Sequence, residues 1–106
     1  MVKLPWTSAR EDEARLWAER NFADAPTECA SRVALLISAA LGCPLNELEP
    51  HSVLQSYEGF TELVKVELLL AIETEFGSSI ADEEASAMTT PARIVSWASH
   101  HAVAEA

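Results

Sequence analysis

A chain of 106 residues is long enough for one modest hydrophobic core and too short for two. Its 17 Asp and Glu against 7 Lys and Arg leave a formal charge of −10. That balance argues against a nucleic-acid backbone or an anionic membrane surface as partner and favours basic protein surfaces, while also serving solubility. Fully apolar runs such as residues 68–72 fall far short of the roughly 20 residues of a bilayer span, so no membrane segment is expected. Cys29 and Cys43 lack C-x-x-C spacing, and the opening MVKLPW lacks the apolar core of a secretory signal, so the expected setting is reducing and cytoplasmic.

Ser8-x-x-Glu11 has the form of a capping box, which predicts a first helix from Ala9 to about Phe22. Ala14, Trp17, Ala18 and Phe22 fall on one face at roughly 100° per residue. Glu11, Arg15 and Glu19 form an i,i+4 charge ladder beside it. Trp17 and Phe22 are expected to dock this helix on the remainder of the chain, since large aromatic rings gain most from burial.

Asp24-Ala-Pro-Thr27 punctuates the chain, and either Asp24 or Thr27 could cap a second helix, with Pro26 tolerated in its first turn. Ala30, Val33, Ala34, Ile37 and Leu41 keep the spacing of a buried face, and Gly42 stands where a left-handed C′ residue is wanted. Cys29 in the first turn could become a thiolate through the helix dipole, but with no base nearby in sequence a packing role is expected. From Cys43 to Glu58 two prolines and sparse apolar residues predict a long ordered loop, pinned by Leu45, Leu48, Val53 and Leu54.

A third helix is expected from Thr61 to Phe76. Its apolar residues lie on more than one side: Leu68, Leu69, Ile72 and Phe76 form one arc, and Leu63, Val64, Leu70 and Ala71 form another around Glu67. Lys65 falls in the first arc, where its stem can lie along apolar surface with the ammonium in water.

Here the chain resembles the acyl carrier protein family, in which a loop ending G-x-D-S-L opens a helix D-S-L-x-x-V-E-L that closes with E-E-F-G. Gly59, Leu63, Val66, Glu67, Leu68, Glu73, Glu75, Phe76 and Gly77 keep that pattern. Two residues depart from it: Thr61 takes the place of the Asp, and Glu62 that of the Ser on which the family carries phosphopantetheine. A carboxylate cannot form the same phosphodiester, so the resemblance implies the family's shape without its prosthetic group. A carboxylate in a first helical turn is in any case favoured by the dipole.

The resemblance covers about residues 28 to 104. It implies an all-α fold, an acyl-carrier-protein-like four-helix bundle over residues 26–106, with residues 1–25 an added helix. It also implies that the second arc of the third helix is a recognition face for basic partner proteins. The family's acid two residues after its Ser is here Val64, Thr74 interrupts the acidic run, and Glu67 and Glu73 keep their charge. Leu63, Val64 and Leu70 would then form an apolar contact patch, with Glu67 and Glu73 as steering charges, unless the added helix or a shifted bundle covers it.

After Gly77, Ala81 to Met88 reads as a short helix with an acidic start. Thr90-Pro91 opens the last one, with Ile94, Val95, Trp97, Ala98 and Ala102 on its buried side and an end near Ala104. Thr89, Thr90 and Ile94 or Val95 fit the family's TT-x-x-x-x-I. His100 and His101 are adjacent, lack the spacing of a metal pair, and read as solvated. No nucleophile with an adjacent base, Gly-rich phosphate loop or Cys/His metal pattern is present, so catalysis, cofactor and metal are not expected.

Three functions follow from the resemblance. One is a noncatalytic interaction module working through the third helix, linked to fatty acid or polyketide type biosynthesis. Another is a working carrier, with phosphopantetheine on Ser56 or Thr61, or with Glu62 standing where the natural chain has Ser. The third is a noncatalytic subunit or homodimer.

Overall fold

The computed structural model describes the backbone of residues 8–103 and the side chains of residues 10–101. Within them the protein is all-helical, with no strand. Its helices are α1 (Ser8–Asn21), α2 (Thr27–Leu41), α3 (Glu62–Phe76), α4 (Asp82–Ala87) and α5 (Pro91–Val103), with short 3-10 turns at Leu45–Glu47 and Leu54–Ser56.

The core forms around α2, against which α1, α3 and α5 all pack. The predicted stripe Ala30, Val33, Ala34, Ile37 and Leu41 is buried, and so are Leu35, Leu36 and Ser38 on its other sides. The helix is enclosed because α1 covers surface that α3 and α5 leave open. Ala14, Trp17 and Ala18 of α1 join the same core, while Phe22 is half-buried, its ring centroid 5.4 Å from that of Trp17. Arg10 of α1 donates to Ser38 Oγ of α2 at 2.9 Å. Arg15 pairs with Asp12 at 3.5 Å in place of the expected ladder with Glu11 and Glu19, a three-residue spacing that also brings two side chains together on a helix. The Ser8 side chain, Ala102 and Ala104 lie outside the described side chains.

Neither Asp24 nor Thr27 caps α2: Pro26 occupies the N-cap and no side chain bonds there. The chain leaves α2 through Gly42 and α3 through Gly77, at φ 69° and 66°, a left-handed conformation costly for a residue with a Cβ.

The loop between α2 and α3 is ordered by backbone bonds and buried leucines. Leu45, Leu48 and Leu54 are in the core. Val53, expected with them, is 45% exposed, because it precedes the second 3-10 turn and it is Leu54 that the turn directs inward. Tyr57 Oη accepts from the Glu49 N–H at 2.8 Å and donates to the Glu47 carbonyl at 3.2 Å, closing the loop on itself. The Leu54 N–H donates to the Thr89 carbonyl and the Ala92 N–H to the Pro50 carbonyl, each at 2.8 Å, tying the loop to the start of α5.

Candidate functional site: the outer face of α3

The start of α3 is fixed by the residue before it and by the loop's contact with α2. A Cβ on Gly59 would fall 1.9 Å from the Leu41 carbonyl oxygen, so only glycine lets the loop lie this close to the end of α2. Thr61 precedes the helix instead of opening it. Its backbone is extended, and Oγ1 accepts from the Val64 N–H at 3.0 Å, satisfying one of the donors a helix start leaves free. Glu62 is then the first helical residue, exposed at the positive end of the dipole.

Leu68, Ile72 and Phe76 are buried and Leu69 is half-buried, so the core arc is the expected one. Lys65 beside it is half-buried. The far end of α3 is anchored to α2 by an ion pair between Arg32 and Glu75, whose carboxylate side chain is only 9% exposed, and Arg32 also reaches Glu28 at 3.3 Å. Such a pair orients the two helices, because the Glu75 carboxylate left alone would be a costly buried charge.

On the opposite side, Leu63, Val66 and Leu70 are 66%, 54% and 56% exposed. They lie within roughly 60° of one another at ~100° per residue and form a continuous apolar stripe over two turns. Val64 is not part of it. That residue points about 100° away from Leu63, is half-buried and packs against the core, as does Ala71. The projected arc of Leu63, Val64, Leu70 and Ala71 is centred on Glu67; centred on Leu63 and Leu70 instead, it takes in Val66 and leaves Val64 out.

Glu67 is exposed beside the stripe. Glu73 is half-buried, and its Oε2 accepts from the Ile80 N–H at 2.6 Å, so it holds the segment after Gly77. Thr74, which interrupts the acidic run, returns its hydroxyl to the Leu70 carbonyl at 2.9 Å. Ser56, an alternative attachment residue, is exposed on the second 3-10 turn with its hydroxyl donating to the Val53 carbonyl at 2.6 Å.

Elsewhere the chemistry is structural. Cys29 is buried with Sγ 3.7 Å from Ser99 Oγ, and burial pushes its thiol up, so it is not an activated thiolate. Cys43 is half-buried and likewise raised by burial and then by Glu47. His101 departs from the expected solvated pair: it is half-buried and stacks on Trp97, with centroids 4.1 Å apart. The buried Trp97 Nε1 meets no acceptor at ordinary hydrogen-bond geometry among the described residues, though it lies near enough to the Glu84 carboxylate to favour its charged form. Across from it, the Glu84 carboxylate accepts from the Ala81 N–H at 3.0 Å and is held below the ordinary range by that bond, then by the nearby Trp97 and His101.

Among the described residues no group of three or more His, Cys, Asp and Glu could hold a metal ion, and no helix is long and apolar enough to cross a membrane. No model of a known protein family matches the chain.

Proposed function

We propose that this protein is an acyl-carrier-protein-like bundle without the prosthetic arm, which works as a noncatalytic module by docking the outer face of α3 on a partner protein in fatty acid or polyketide type biosynthesis. The observation that carries this reading is the stripe of Leu63, Val66 and Leu70, more than half exposed on a helix whose other side is core. Contiguous exposed apolar surface of this kind marks contact sites. The order of α2, a long pinned loop, α3, short α4 and α5 supports the carrier-like architecture. The exposed carboxylate of Glu62 at the first position of α3 supports the absence of the arm, since it has no hydroxyl to attack the coenzyme A pyrophosphate. With a net charge of −10 and Glu62 and Glu67 beside the stripe, the complementary surface is apolar at its centre and basic at its rim.

Incubation with a broad-specificity phosphopantetheinyl transferase and coenzyme A, read by intact mass, tests the loss of the arm. The expected result is the unmodified mass. A stoichiometric adduct on Ser56, Thr61 or any other residue would overturn the reading.

A further inference from the structure

The turn joining α1 to α2 and the outward side of α5 enclose a groove of about 410 Å3 that shares no lining residue with α3. This size lies within the range of small-ligand sites, which combine apolar walls with a few polar groups. Phe22, Ala25 and Val95 supply the apolar wall, while Asp24, Ser96 and His100 supply polar atoms. No Lys or Arg lines it.

Asn21, Ser96 and Ser99 in the lining can donate as well as accept, while Asp24 brings its one carboxylate. His100 Nδ1 lies 2.8 Å from the Ser96 carbonyl oxygen, which can only accept, so Nδ1 donates and Nε2 is the nitrogen whose lone pair an unprotonated ring offers. Asp24 offers carboxylate oxygens that bond to no group among the described residues. Two acceptors on an apolar wall, in a chain of net charge −10, complement a ligand that brings donors, positive charge and hydrocarbon together.

We propose that this groove binds small hydrophobic primary amines, with the ammonium at Asp24 and His100 and the hydrocarbon against Phe22, Ala25 and Val95. The site is separate from the α3 face, and neither proposal depends on the other.

Phenethylamine, phenethyl alcohol and hydrocinnamate share one hydrocarbon and differ in the polar end. Titration of the full chain with each, followed by amide NMR, should give saturable shifts centred on the groove residues, strongest binding for the amine and weakest for the acid. Asp24→Asn should reduce the preference for amine over alcohol about threefold, the scale of one exposed ion pair, with unchanged thermal stability. Absence of saturable shifts with the amine, equal binding of the acid, or a preference unaltered by Asp24→Asn would overturn the proposal.

Discussion

The Trp17 indole N–H donates to the Leu48 carbonyl at 2.9 Å in a buried seam, so one side chain of α1 both fills the core and satisfies the loop that leads to α3. Trp17→Ala should cost about 3–5 kcal/mol through the cavity it leaves. Trp17→Phe keeps most of the ring and strands the Leu48 carbonyl, a loss of about 1–3 kcal/mol. Urea unfolding measures both. A Trp17→Ala loss under about 1 kcal/mol would show that α1 is not an integral part of the core. Removal of residues 1 to 24 should likewise lower stability, because it takes Ala14, Trp17 and Ala18 out of the core and uncovers the side of α2 that carries Ser38.

Gly59 is held by space, since its φ is not in the left-handed region and a Cβ would meet backbone that cannot swing aside. Gly59→Ala should therefore destabilise by about 1–3 kcal/mol, the cost of overpacking. Amide shifts in the variant should concentrate at the end of α2 and the start of α3. A variant of unchanged stability would mean that the loop does not bear on Leu41.

Much of this arrangement was legible in the sequence. The stripe on α2 showed in its i, i+3, i+4 spacing, and Gly42 and Gly77 marked the helix ends they occupy. The outer face of α3 was harder, because apolar residues surround that helix and periodicity does not say which arc is core. An outer arc centred on Glu67 includes Val64, whereas packing turns that residue inward and leaves Val66 exposed. The stacking of His101 on Trp97 is an i,i+4 contact within α5 that the spacing already held, but the approach of Gly59 to Leu41 and the two bonds of Tyr57 join residues well separated in sequence. Local pattern does not encode them.

Glu84 makes stability depend on pH in the acid range. Its carboxyl is held below the ordinary value of 4.5, first by the Ala81 N–H, so the folded state binds its proton less tightly than the unfolded chain. The contribution is complete above that ordinary value and is lost as pH falls through the lower folded one. Glu84→Gln should be less stable than the parent near neutrality, with the difference shrinking on acidification. A difference independent of pH would show that the charge of Glu84 is not what holds the start of α4.

Binding of a partner by α3 through Leu63, Val66 and Leu70, as proposed, is tested by the affinity, for the parent and for Leu70→Asp, of the partner recovered by cross-linking. Leu70 is 56% exposed, so the substitution should leave thermal stability nearly unchanged. Binding should weaken about tenfold or more, as expected when an anchor at the centre of an interface is lost. Val64→Asp is the poorer probe because it would disturb core packing, and Glu67→Lys should chiefly slow association. Self-association through the same stripe would appear as a concentration-dependent mass in light scattering that Leu70→Asp abolishes. Partner affinity and oligomeric state both unaltered in a folded Leu70→Asp protein would show that the outer face of α3 is not the working surface.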